Sequence, residues 1–204
     1  MREKSSKEWM APLTGLAFLA LLIAGFAIGG EPPEAKDPIA DILDYYTDGD
    51  KAMFGGLLVG AAAVLLVYFA GYLRKVLSDA EGVGGVLSSI AFGGSLIIAA
   101  GLAVDGTILI ALSEAAEDID PVAVQALQAL WDNDWLPLAV GVQLFIFSSG
   151  LSIVRHGALP KWLGWIAIVL GVIAFTPIGF VAAAGTAIWV AIASVMLTMK
   201  ARAA

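Results

Sequence analysis

Apolar residues fall into long blocks along this chain, separated by short polar segments, and each block approaches the about 20 residues a helix needs to cross a bilayer. Four blocks stand apart, at residues 9–30, 53–73, 85–112 and 136–154. The last apolar region, about 38 residues long, exceeds what one helix of about 20 requires. It divides at Thr176-Pro177-Ile178-Gly179, a break that suits a tight turn, into blocks at 162–175 and 180–199. A single re-entrant or bent element is the alternative there, and length favours two spans. The pattern predicts an all-α membrane protein with six transmembrane helices in one polytopic domain, residues 1–204.

Two of the polar segments carry a helical pattern of their own. Asp37 and Asp120 suit N-cap positions, and Pro38 and Pro121 suit the first helical position, where a proline loses no intrahelical bond. Ile39, Ile42, Leu43 and Tyr46 then recur at helical spacing, as do Val124, Leu127 and Trp131, leaving one apolar and one acidic face. Such helices would lie across one mouth of the bundle. A packed lid requires only something apolar beneath it and is favoured over a gate or partner surface.

The blocks also repeat. Leu13-x-x-Leu16-Ala17-Phe18, Leu87-x-x-Ile90-Ala91-Phe92 and Leu163-x-x-Ile166-Ala167-Ile168 align, a weak match in apolar helices. Polar loops strengthen it: Asp37-Pro38-Ile39-Ala40 and Asp48-Gly49-Asp50 answer Asp120-Pro121-Val122-Ala123 and Asp132-Asn133-Asp134. Gly60 and Gly141 each precede an arginine, Arg74 or Arg155, by fourteen positions. The pattern reads as a duplicated helix-loop-helix hairpin with a third copy of shortened loop.

Composition agrees with a membrane class: 60% hydrophobic, 14% charged and a mean hydropathy of +0.90. The net charge of −7 conceals a sorting by side. Arg2, Lys4, Lys7, Arg74, Lys75, Arg155, Lys161, Lys200 and Arg202 share one side, leaving Lys36 and Lys51 on the other with thirteen acidic residues. Retention of lysine and arginine in the cytoplasm then puts both termini there, in the cell (cytoplasmic) membrane. Residues 1–30 could also be a secretory signal, but their apolar run is longer than a signal core of about 7–15 residues. The chain has no cysteine, so disulfides, thiol catalysis and thiolate metal sites are excluded together.

Glu31-Pro32-Pro33, Asp44-Tyr45-Tyr46-Thr47-Asp48, Leu130-Trp131-Asp132-Asn133-Asp134 and the turn from Gly157-Ala158-Leu159-Pro160 through Lys161-Trp162-Leu163-Gly164-Trp165 give the chain a further reading. On these motifs it resembles, over nearly its whole length, a bacterial family of six-span membrane proteins catalogued only as a domain of unknown function. The resemblance implies six spans and carries no activity, substrate or site residue.

Candidate chemistry must come from polar groups within the spans. Asp105 is the only acid in one, suggesting a proton or cation relay if mid-membrane. The repeat aligns 101–106 with 25–30, at the end of the first span, which favours a hydrated acid at the outer interface. In the fourth span Gln143, Ser148, Ser149 and Ser152 cluster, with Ser148, Ser152 and Arg155 at i, i+4 and i+7 on one face. Gln143 could line a polar cavity or pair with Tyr68 or Thr186; interhelical bonding is favoured over ligand contact. Gly56-x-x-x-Gly60, Gly25-x-x-x-Gly29 and Gly85-x-x-x-Ser89-x-x-x-Gly93 are small-residue stripes suited to packing within the bundle, or to homodimerisation. Tyr68, Tyr72, Trp9, Trp162 and Trp165 suit anchors at one interface, Trp131 and Trp135 at the other, and Trp189 the core.

Enzyme readings find little. His156, the only histidine, lies in a basic turn, so no two-histidine metal or haem site and no base for a membrane serine protease at Ser148-Ser149-Gly150 can form. No lysine sits mid-span for a Schiff base, and no phosphate-binding Gly-Lys-Ser/Thr loop exists. Asp48-Gly49-Asp50 and Asp132-Asn133-Asp134 could hold calcium weakly, but suit helix-ending turns, because Gly and Asn tolerate a left-handed backbone. No catalytic residue, cofactor or metal is expected; the bilayer is the expected partner, with a protein partner or homo-oligomer besides, and no nucleic acid. Two classes remain: a non-catalytic protein acting by contact with a partner or the envelope, and a small transporter or channel for a cation or small solute with an acidic, helix-capped vestibule.

Overall fold

The computed structural model describes residues 8–47, 50–176 and 178–203. Arg2, Lys4 and Lys7, the Asp48-Gly49 pair of the first acidic turn, and Pro177 of the final break lie outside them.

A 3-10 turn, Glu8–Leu13, leads into α1 (Thr14–Gly29). There follow α2 (Ile39–Thr47), α3 (Lys51–Glu81), α4 (Val86–Ala115), α5 (Pro121–Asp132), α6 (Trp135–His156), α7 (Lys161–Ile173) and α8 (Gly179–Ala203). The described residues contain no strand. Among the described residues, five helical stretches are long and apolar enough to cross a membrane: Trp9–Gly29, Lys51–Glu81, Val86–Ala115, Pro121–His156 and Gly179–Arg202, with mean hydropathy between 1.8 and 2.2. The sixth expected span, α7, is apolar but only 13 residues long.

Hydropathy misplaced some ends. The apolar block of the second span stops at residue 73, yet α3 continues to Glu81, because Arg74, Lys75, Leu77 and Ala80 are good helix formers and Leu77 is still buried. The backbone then turns at Gly82 (φ 80°), as α6 ends at Gly157 (φ 74°); side chains rarely adopt either value.

Helices that follow one another pack side by side: α1 on α3, α3 on α4, α4 on α6, α6 on α7 and α7 on α8. The ring closes where α8 meets α1 and the 3-10 turn, with the Ser194 hydroxyl donating to the Pro12 carbonyl and the Arg202 guanidinium 4.2 Å above the Trp9 ring. Phe18, Leu66, Phe69, Phe145, Ile146 and Trp189 fill the middle. Trp189, expected in the core, stacks edge-on against Phe145 and donates its indole N–H to the Leu163 carbonyl at 2.9 Å.

Glycine meets glycine at successive crossings. A methyl group on Gly55 would lie 3.0 Å from the Gly25 carbonyl oxygen (α1 on α3), and one on Gly106 would lie 2.7 Å from that of Gly56 (α3 on α4). One on Gly141 would lie 2.9 Å from the Gly94 carbonyl oxygen (α4 on α6), and one on Gly150 would lie 2.7 Å from that of Gly164 (α6 on α7). Backbones therefore touch, and dispersion replaces side-chain interdigitation there. The sequence stripes were only half right: nothing lies within 4 Å of the place a methyl would take on Gly60 or Gly93, and Ser89 is exposed. Gly94, one position on, makes the contact.

Arg74, Lys75, Arg155, Lys161, Lys200 and Arg202 gather at one end of the bundle, the basic end; α2 and α5 lie over the other, acidic end.

Candidate functional site

The acidic end holds the buried acid Asp105 and the buried amide Gln128. α2 and α5 pack on each other and on the ends of α3 and α4, burying Ile42, Tyr46 and Val124 against Ala52, Leu109 and Leu112. Asp120 caps α5 as expected, accepting from the Val122 N–H at 2.8 Å with Pro121 in the first turn. Asp37 does not cap α2. Its carboxylate accepts the Glu34 N–H at 2.8 Å and closes the preceding turn, while the Pro38 carbonyl opens the helix. Asn133 ends α5 at φ −114°, not left-handed, and its side-chain amide donates to the Ala129 carbonyl at 2.7 Å. A side-chain bond to the helix end makes an unusual backbone unnecessary.

Gln128 is the centre of this cap, fully buried on α5 between Val124 and Trp131. Its amide oxygen accepts the Tyr46 hydroxyl at 2.5 Å, and its amide nitrogen donates to the Pro33 carbonyl at 2.7 Å and to Asp132 at 2.9 Å. Asp132 also accepts the Ala35 N–H at 2.7 Å, and Gln125 donates to the Ala35 carbonyl at 2.8 Å. Tyr45 donates to the Gly29 carbonyl at 2.8 Å, tying α2 to the end of α1. Two loops about 90 residues apart in sequence are thereby locked together. Burial, with Tyr45, Asp132 and Asp105 adding to it, pushes the Tyr46 hydroxyl above the ordinary tyrosine range, so it remains a donor.

Asp105 lies beneath the cap, 8% exposed. It is not at a helix end: α4 continues to Ala115, and α5 covers the acid that the repeat alignment assigned to a hydrated interface. Trp131 and Asp134 are its polar neighbours; the buried Trp131 indole N–H completes no standard hydrogen bond, and Asp105 is the acceptor within its reach.

The other candidates are scattered. Ser152 donates to Glu81 at 2.6 Å near the basic end, and Glu81 also accepts the Ser88 N–H at 2.8 Å in the first turn of α4. A carboxylate there satisfies a helix N-terminus. Ser148 is buried, Gln143 half-buried, and neither side chain makes a hydrogen bond among the described residues. Tyr68, 67% exposed, points away from the bundle and is no partner for Gln143; Thr186 is buried with its hydroxyl unpaired. Along the face shared by Ser148, Ser152 and Arg155 the two serines are buried and Arg155, in the last turn of α6, is exposed. Asp105 abuts the Gly56·Gly106 crossing, and Glu81 lies 25 residues from Gly56 on α3, so Asp105 and Ser152 are separated by roughly 37 Å at 1.5 Å per residue. Gln128 and Glu81 were missed. Gln128 could have been suspected as an amide on the apolar stripe of α5; Glu81 had no signal in its own segment.

No protein-family model, curated protein or solved structure matches this chain.

Proposed function

We propose that the chain is a six-span, non-catalytic protein of the bacterial cytoplasmic membrane, with both termini cytoplasmic, that acts by contact: its acidic cap meets a protein partner or another part of the envelope. One observation carries this reading. The large side chains of Phe69, Phe145, Ile146 and Trp189 occupy the middle of the ring, and glycine backbones touch at its seams. Asp105 and Ser152 lie toward opposite ends of the bundle and Tyr68 on its outside, while Gln143 and the buried Ser148, midway along α6, line none of the cavities described.

Six spans accord with α7 and α8 being separate helices joined by a tight turn, the Gly179 N–H donating to the Thr176 carbonyl at 2.8 Å. The hairpin repeat accords with a short helix in each of the first two loops, and with Gly101 packing on Pro137 and Leu138 where Gly25 packs on Gly55 and Leu58. Transport by a cation or small-solute carrier is the second reading, favoured by Asp105, a buried acid beneath a helical cap.

Cysteine placed singly in this cysteine-free chain separates the two. Gln143→Cys and Ser148→Cys should both resist a membrane-impermeant thiol reagent from either side, while Glu117→Cys reacts from outside. Labelling at residue 143 or 148 would mean that water reaches α6 and would overturn the contact reading.

A further inference from the structure

An apolar recess of about 420 Å³ opens on the side of the bundle at the acidic end. Its walls are the first two turns of α6, with Trp135, Leu138 and Val142, and the α7–α8 turn, with Ala174, Phe180 and Ala183. The recess follows from unequal helix lengths. From the Gly150·Gly164 crossing, α6 runs fifteen residues outward to Trp135, whereas α7 runs only ten to Ala174, so α7 stops roughly 7 Å short. The first two hairpins cover their ends with α2 and α5; the third has only a tight turn.

We propose that this recess binds one acyl chain of a phospholipid whose headgroup is zwitterionic and carries an amine. The proposal rests on α7 and α8 crossing together, part of the reading above, and not on the contact role. Size selects the occupant: a second copy of the chain or a protein partner would need about 800 Å² per side and 20–30 residues, far more than these two short walls offer. A volume of 420 Å³ lies within the range of small-molecule sites, about 300–1,000 Å³. Polarity selects it too. The one hydroxyl in the lining, on Thr176, already donates to the Ile173 carbonyl at 2.7 Å, which leaves the indole N–H of the exposed Trp135, at the rim, as the side-chain donor of otherwise apolar walls. Charge sets the headgroup: Asp134 precedes Trp135 at the rim, and residues 134–183 carry lysine or arginine only at Arg155 and Lys161, at the opposite end. An ammonium is attracted there, and a free fatty acid or an anionic headgroup is repelled.

The test uses full-length protein in bilayer discs of phosphatidylethanolamine and phosphatidylglycerol, with a trace of either lipid bearing a diazirine in the headgroup-proximal half of one acyl chain, at the depth of the recess. Irradiation and peptide mapping should concentrate phosphatidylethanolamine adducts on 135–142 and 174–183, with phosphatidylglycerol labelling them less. Ala183→Phe, which fills the recess from an exposed position, should lower those adducts by about fivefold. Ala183→Leu serves if the larger residue fails to fold. Adducts spread evenly over outward positions such as Leu57 and Ile188, equal labelling by both lipids, or cross-links between two copies through residue 183 would each overturn the proposal. Ile178→Cys reports the crossing separately: reaction with an impermeant reagent from the side of Glu117→Cys supports the hairpin, and its failure to react there removes the hairpin on which the site depends.

Discussion

Ser152 on α6 donates its hydroxyl to Glu81 at the last turn of α3, 2.6 Å away and 71 residues earlier in the chain. The same carboxylate takes the Ser88 N–H that opens α4, so one side chain joins three helices where the bundle meets its basic end. Hydrogen bonds to a charged acceptor contribute about 1.5–3 kcal/mol each when half-buried and well aligned. Glu81→Ala should therefore lower stability by about 2–3 kcal/mol and Ser152→Ala by about 1.5 kcal/mol. In a double-mutant cycle followed by thermal unfolding in detergent, the two losses should not add, because they share one bond. Additive losses would mean the pair is not coupled.

The glycine crossings make a prediction against the sequence stripes. Gly106→Leu and Gly94→Leu drive side chains into the backbone of a neighbouring helix and should cost about 1–3 kcal/mol or abolish folding. Gly60→Ala and Gly93→Ala point into open space and should be neutral, or stabilise by up to about 1 kcal/mol through helix propensity. Melting of the four variants in one detergent tests the ranking.

Gln128 governs the cap and not the spans. Gln128→Leu leaves the Tyr46 hydroxyl and the Pro33 carbonyl without their partner, at about 1–3 kcal/mol for each buried group left unpaired. Amide exchange should accelerate in residues 33–47 and 120–132 and remain unchanged in α3 and α6. Uniform acceleration would show that the cap and spans unfold as one unit.

The cap should also loosen in alkali. Tyr46 is held above the tyrosine range by burial first, and Tyr45 is shifted the same way by the same cause. The unfolded chain releases these protons near pH 10, and the folded chain releases them only at higher pH, so above about pH 10 the folded state binds more protons. Stability is then full below about pH 10 and falls as pH rises beyond it. Tyr46→Phe should reduce that slope without removing it, since Tyr45 remains. A melting temperature that is flat from about pH 9 to pH 11 would contradict the burial of both rings.

Much of this could be read from the chain. Apolar block length marks the helices that can cross a bilayer, since a hydrogen-bonded helix is the cheapest way to carry a backbone through hydrocarbon. The Asp120-Pro121 start of α5, the apolar faces of α2 and α5 and the core position of Trp189 follow from local chemistry, and the structure has each. Helix ends were read less well. Hydropathy reports apolar runs, and α3 continues past its run on helix propensity and the burial of Leu77.

What the sequence could not decide was which polar group meets which. Asp37 and Asp120 both precede a proline, a β-branched residue and an alanine, yet one closes a turn and the other caps a helix. Gln128 reaches Pro33 and Tyr46, and Ser152 reaches Glu81, across 95, 82 and 71 residues. A methyl on Gly94 would meet Gly141 while one on Gly93 would meet open space, because a rotation of about 100° per residue separates an interface from an open face. Periodicity fixes that a helix has faces; only the packing of one helix on another chooses which face is buried, and with it which carboxylate, amide or glycine finds its partner.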